Sequence, residues 1–277
     1  MSRKAKYGEC RICGEYKKLT FEHVPPNMAF NNTKVKMIKG DELINSIGDK
    51  NRLPWEKADL KGPIQQKGKG DYYLCESCNN KTGSWYANHY VEFIRGIAYA
   101  IRGLDIADFT GNAVEIKALR VQTLPVFKQI MTMFCDINNA RMGDDSLREF
   151  LLDKECKIFN TDKYKVYAYI HSGALERMNG IMAAYTPGIG IVMTSEISSY
   201  PLGFILYIDK PEGYKPQGTD ITEFVNCDFD EKRDIDMILP ILENNIIFSG
   251  DYRTQNEILA DIAKNRKWEE EHAKELF

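Results

Sequence analysis

The chain lacks any long apolar run. Nothing in its 277 residues approaches the roughly 18 consecutive apolar residues of a membrane-spanning helix. The most apolar stretch, residues 181–208, is broken by Pro187, Gly188, Gly190, Pro201 and Gly203. Membrane partners are therefore not expected. The first nine residues are basic and polar with no apolar segment behind them, so a secretory leader is not expected either. The expected setting is the cytoplasm. Internal repeats and low-complexity segments are missing as well. Histidine is scarce: the four copies stand at positions 23, 89, 171 and 272, so each can be weighed separately as a proton carrier or ligand.

Apolar residues make up 43% of the chain, enough for a packed core and too many for wholesale disorder. The net charge of −3 hides an asymmetry. Residues 1–95 carry 17 Lys and Arg against 11 Asp and Glu, and the remaining residues carry the acidic excess. A basic front on an acidic body suggests a polyanion as partner for the front. Seven cysteines stand at 10, 13, 75, 78, 135, 156 and 227. In a reducing compartment, two Cys-x-x-Cys pairs point to metal rather than disulfides.

Periodicity divides the chain into residues 1–95 and 96–277. In the first part, Cys10-Arg-Ile-Cys13-Gly14 reads as a tight knuckle. Leu19 to His23 alternates like a strand that ends at Pro25-Pro26, and Asp71 to Cys75 reads as a second strand. Between them, residues 27–70 form a long polar segment with many glycines, part of which should be ordered. A helix is expected from Asn79, with Tyr90, Ile94, Ile97, Ile101 and Leu104 as its apolar stripe. A second helix should run from Thr123, as cap, to Ile137, and a third should start at Asp144. Strands are expected over 165–170, 181–186, 189–194 and 202–208, with Pro187-Gly188 turning a hairpin. A charged helix should fill 253–275, capped by Ser249 or Asp251; it could pack internally or pair two copies of the chain as a homodimer. The fold class is α+β, a small metal-bound module followed by a mixed helical and antiparallel-sheet domain.

Zinc takes four soft or borderline ligands in a tetrahedron, and each Cys-x-x-Cys turn supplies two thiolates. Cys10, Cys13, Cys75 and Cys78 thus form a candidate structural zinc site, its first pair on a knuckle and its second where a strand passes into a helix. That order of knuckle, hairpin and helix is a treble clef. Such a staple would set the helix start against the hairpin, drawing together Glu22, His23 and Asn79. Neutral imidazole at His23 can take a proton from water. A carboxylate at Glu22 and an amide at Asn79 suit a hard divalent cation such as Mg²⁺ or Mn²⁺.

Cys10-x-x-Cys13, Glu22-His23-Val24-Pro25-Pro26 and Cys75-x-x-Cys78-Asn79 together resemble the HNH, or His-Me finger (ββα-metal), endonucleases with a four-cysteine zinc site. The resemblance covers about residues 8–90. It implies a hydrolase that cuts phosphodiester bonds in DNA with one divalent cation. Glu22 and Asn79 would be its ligands and His23 the general base. By analogy it also points to phage defence or a mobile element. The chain departs from the family at Glu22, where Asp or His is frequent. It departs again at Gly83, where some members carry a third ligand. Asn88 and His89 lie further along the helix. Asn31, Asn32 and Asn51 all remain candidates for the middle Asn that orients the base.

Lys34, Lys36, Lys39, Lys50, Arg52, Lys57, Lys61, Lys67 and Lys69, interleaved with Trp55, Tyr72 and Tyr73, suit phosphate contact and base stacking. The alternative reading is a non-catalytic zinc treble clef that binds nucleic acid or protein. His89, His171 and His272 have no partner in the sequence pattern. Cys135, Cys156 and Cys227 read as buried apolar residues.

Overall fold

The computed structural model describes residues 5–38, 40–47, 52–56, 60–103, 112–139, 142 and 144–272. In chain order the first part holds β1 (Tyr7–Glu9), β2 (Tyr16–His23), β3 (Val35–Lys36), α1 (Gly40–Ile47), β4 (Ile64–Gln65), β5 (Gly70–Cys75) and α2 (Glu76–Ala100). β1, β2 and β5 form an antiparallel three-stranded sheet with β2 in the middle. The long polar segment between β2 and β5 contains a two-stranded ribbon, β3 with β4, and the short α1. Such short pieces have no periodicity of their own to announce them in the sequence.

The second part holds β6 (Ala113–Val121), α3 (Thr123–Ile137), α4 (Asp145–Leu152), β7 (Tyr164–Ser172), β8 (Arg177–Thr186), β9 (Gly190–Ser199), β10 (Leu202–Ile208), β11 (Thr219–Asp220), a 3-10 turn at Thr222–Asn226, β12 (Arg233–Glu243) and α5 (Gln255–Glu271). Its seven-stranded sheet runs β6-β12-β7-β10-β9-β8, with β11 beside β7. The protein is therefore mixed α+β. The expected antiparallel sheet needs one correction, because β12 lies parallel to β7 through Ile241 to Glu243. Hairpins account for β8, β9 and β10, which are antiparallel neighbours. β12 arrives through a long connection and is free of that constraint.

α3 is buried on almost every side, as a helix that is apolar nearly all round must be. It packs on α2, α4, the 3-10 turn, β8 and β9. β10 is buried along its whole length; one face meets the main core and the other a smaller cluster of Tyr169, Val192, Ile205 and Tyr207. This double cover explains its continuous apolar sequence. One core cluster takes in Cys10, Leu74, Tyr86, Ile97, Phe134, Phe204 and Leu239 alike. α2 runs through residue 95, with Tyr86, Tyr90, Ile94 and Ile97 buried beyond the cysteines.

Several local expectations are corrected. α2 starts at Glu76 rather than Asn79, with Cys75 as its N-cap. Thr123 is not the cap of α3; Gln122 holds that position, and the Thr123 hydroxyl donates to Phe224 O at 3.1 Å. Thr254, not Ser249 or Asp251, caps α5 through a reciprocal box with Glu257. Asp251 is instead paired with Arg253. Leu104 and the end of the last expected helix lie outside the described residues. None of the described helices is long and apolar enough to cross a membrane.

Candidate metal centre and the strand beside it

The cysteines are gathered by short-range geometry. Gly14, at φ 73°, closes the first knuckle, with Gly14 N donating to Cys10 O and Cys10 N to Glu15 O, both at 2.9 Å. Arg11 N donates to Tyr73 O at 3.1 Å, fastening the knuckle to β5. Cys75 N donates to Cys10 Sγ at 3.3 Å, and Cys13 Sγ lies 4.0 Å from Cys75 Sγ. The ligand atoms of Cys10, Cys13, Cys75 and Cys78 all lie within 4.8 Å of one another. Thiolates about 2.3 Å from one zinc ion sit roughly 3.8 Å apart in a tetrahedron, so this quartet is compatible with a zinc site. All seven cysteines are free thiols. The hydrogen bond from Cys78 draws the Cys10 thiol down to about 4, leaving charge on one sulfur, as metal ligation needs.

From this cluster β2 and α2 run side by side. Thr20 Oγ1 donates to Leu74 O and accepts from Asn79 Nδ2, each at 2.9 Å. The Asn79 amide N–H, near the Glu22 carboxyl, favours its charged form, but burial outweighs that pull and raises Glu22 to about 7. Glu22 and Asn79 are thus brought together. Gly83 stands one turn further on, where a Cβ would meet Asn79 Oδ1 at 3.7 Å.

His23 is held differently. Its ring packs edge-on to Phe21 at 5.0 Å, and Phe21 packs on Tyr72. Its Nε2 lies 3.1 Å from Lys67 O. Alternation along β2 places Glu22 and His23 on opposite sides of the strand, and among the described contacts none links His23 to Glu22 or Asn79. The three do not meet in one hydrogen-bonded cluster. Of the three candidate middle asparagines, Asn31 is 2% exposed. It donates to Pro25 O at 2.6 Å and Lys69 O at 2.8 Å, and accepts from Lys69 N at 2.6 Å. It clamps the chain just after β2, two residues past His23, to the chain entering β5. Asn32 is exposed, and Asn51 lies outside the described residues.

Other expected residues are dispersed. His89 sits in a small cavity with Gln122 and Lys232, its ring edge-on to Phe229 at 5.7 Å, and Asn88 is exposed. Lys34, Lys36, Lys61 and Lys67 are exposed. Lys69 is buried and ion-paired to Glu176 at 2.6 Å, which sets it apart from the exposed lysines that could meet a nucleic-acid backbone. Tyr73 faces inward, its hydroxyl pushed up to about 12 by burial. Lys39, Lys50 and Lys57 lie outside the described residues.

Two features were not read from the sequence. Asp136, near the end of α3, is buried with neither carboxyl oxygen hydrogen-bonded. Burial, with Glu22 and Cys10 in range, holds its carboxyl well above the usual carboxylate values. The second is a polar network inside the large sheet. Arg177 and Glu196 form an ion pair at 3.2 Å with side chains 2% and 0% exposed, and the Tyr169 and Tyr252 hydroxyls both donate to Glu196. His171 Nδ1 lies 2.8 Å from Ser198 Oγ and 2.9 Å from Asn244 Nδ2. Burial holds its pKa down at about 4. A polar residue within a strand ordinarily reads as solvent-facing, so only tertiary structure shows this network.

No known protein family, no curated protein and no solved structure matches the chain.

Proposed function

We propose that the chain is a metal-dependent endonuclease of the HNH type, with zinc on the four cysteines in a treble-clef frame. The observation that carries this reading is the approach of Glu22 to Asn79, the residue directly after Cys78 of the cysteine cluster. With Asn79 Nδ2 donating to Thr20, its Oδ1, on the Gly83 side, is the amide oxygen that would join the Glu22 carboxyl around a cation. That carboxyl and amide oxygen form a hard donor pair for Mg²⁺ or Mn²⁺. The cation, when bound, stabilises charge on the phosphate and on the leaving 3′ oxygen.

His23 supplies the base. Lys67 O is an acceptor only, so Nε2 carries the hydrogen in the neutral ring, and Nδ1 keeps the lone pair that takes a proton from water. Asn31 ties the backbone just after that histidine, at Pro25, to the facing chain at Lys69. DNA is the proposed substrate, with the exposed lysines of the 27–70 segment on its phosphates.

The experiment is nicking of supercoiled plasmid in Mg²⁺ or Mn²⁺ by the wild type and by His23→Ala, with zinc content measured for both. Loss of a general base lowers the rate by about 10²–10⁴-fold, with zinc content unchanged. Equal nicking by both proteins removes His23 from the chemistry. A second reading, a non-catalytic zinc module that binds nucleic acid or protein, is favoured by the placement of Glu22 and His23 on opposite sides of β2. It predicts retained zinc and no nicking by the wild type with either ion.

A further inference from the structure

A cavity of about 620 Å³ is lined by none of the cysteines. One wall comes from the segment between β2 and β5, with Met37, Ile38 and Leu43; the other comes from β8 and the chain after β12, with Met178, Met182 and Phe248. Ligand sites for small molecules run from about 300 to 1,000 Å³, apolar with a few placed polar groups. Methionine on both walls lets such a site adapt its shape.

Three of the lining residues are cations, Lys36, Lys69 and Arg177, and one is a carboxylate, Glu176. Glu176 is already engaged: Oε2 accepts from Lys69 Nζ at 2.6 Å, and Oε1 accepts from Ser199 Oγ at 2.9 Å and Tyr200 N at 3.3 Å. Lys69 differs. An ammonium has three hydrogens, and two are used, on Glu176 and on Ser199 Oγ at 2.8 Å. The third is left for a ligand. Because burial already acts against the charge of Lys69, a second anion beside it would be favourable. A cationic headgroup would meet Lys69 and Arg177 and find Glu176 occupied.

We propose that this cavity binds a small molecule with an apolar body and one anionic headgroup, a carboxylate, sulfonate or phosphate, held at the third hydrogen of Lys69. The site stands independently of the phosphodiesterase reading. Its headgroup contact is also a short step from His23, because the Lys69 backbone is the one clamped by Asn31 and paired with Val24 N at 3.1 Å.

The test uses the full chain and 8-anilinonaphthalene-1-sulfonate, an apolar-bodied anion that fluoresces when sheltered from water. One site per chain is expected, displaced by decanoate and not by decyltrimethylammonium. Met182→Trp fills the cavity from β8 and should weaken binding by at least about tenfold, while far-UV circular dichroism and zinc content stay as in the wild type. Lys69→Met should abolish the preference for decanoate over the cation. No binding by the wild type, binding unchanged in Met182→Trp, or equal competition by the cation would each overturn the proposal; the Met182→Trp comparison decides even if Lys69→Met fails to fold.

Discussion

Asn31 makes three short hydrogen bonds to backbone in a buried position, joining the chain just after β2 to the chain entering β5. Asn31→Ala takes the side-chain partner from the Pro25 carbonyl and the Lys69 N–H, and leaves the Lys69 carbonyl with Val24 N alone. The expected cost is about 2–4 kcal/mol, read as a lower urea midpoint with an unchanged slope. Asn31→Asp should be no milder, since a carboxylate would face the Pro25 and Lys69 carbonyls without a hydrogen to give. The four cysteines were legible in the sequence because ligation chemistry dictates their spacing. Asn31 was not separable from Asn32 and Asn51, because all three stand in a polar segment with no period. His171 lends itself to a pH experiment. Its folded pKa of about 4 lies below the ordinary value of about 6.5. The unfolded chain therefore binds a proton first as pH falls, and stability is lost from about 6.5 down to 4. The groups around the ring are Lys69, Arg177 and Glu176, all in ion pairs. His171→Gln should flatten the stability profile in that window by up to one proton, and an unchanged slope would show that His171 titrates normally.

Among the elements, β10 was read from the sequence to its ends, because a doubly buried strand bounded by Pro201 and Asp209 is an uninterrupted apolar run. The hairpin of β8 and β9 followed from its Pro-Gly turn, although both strands extend further than alternation showed. β6 and β12 were not singled out in the sequence, although their apolar positions alternate with charged ones, such as Glu115, Lys117, Asp234 and Asp236, as a half-buried strand does. At the candidate site the two strands and the helix start were legible, yet the placement of His23 against Lys67 O depends on the folded path of the polar segment. α5 offers an element-scale prediction. Ile258 is the buried residue of this helix, while Leu259 and Trp268 are exposed at 41% and 51%. Its attachment is local, so Thr254→Ala, which removes the capping box, should cost about 1 kcal/mol. The effect should appear as faster amide exchange over the first turns of α5, by roughly fivefold, and should leave the global melting temperature nearly unmoved. A large fall in that temperature would mean that α5 belongs to the cooperative core.

Over the whole molecule, α2 is the member that the cysteine cluster and the large core share. Its first turn carries Cys78, and its middle buries Tyr86, Tyr90, Ile94 and Ile97 against the second part, with Tyr86 donating to Leu151 O at 2.9 Å. Stripping metal with a chelator should therefore lower a single thermal transition for the entire chain. Two separate transitions, the later one unmoved, would show that the parts fold independently. The clamp at Asn31 has a further consequence. Residues 24 to 69 leave the small sheet at His23 and return at Gly70, which are paired partners, so this excursion is a closed loop pinned at its neck. Closing such a loop costs only about 0.6 kcal/mol more for each doubling of its length. Its outer part is thus an exchangeable cassette: replacing residues 32–66 would change what the cavity recognises and leave the neck, with Asn31, Pro25 and Lys69 in place, and the cysteine hairpin below it intact.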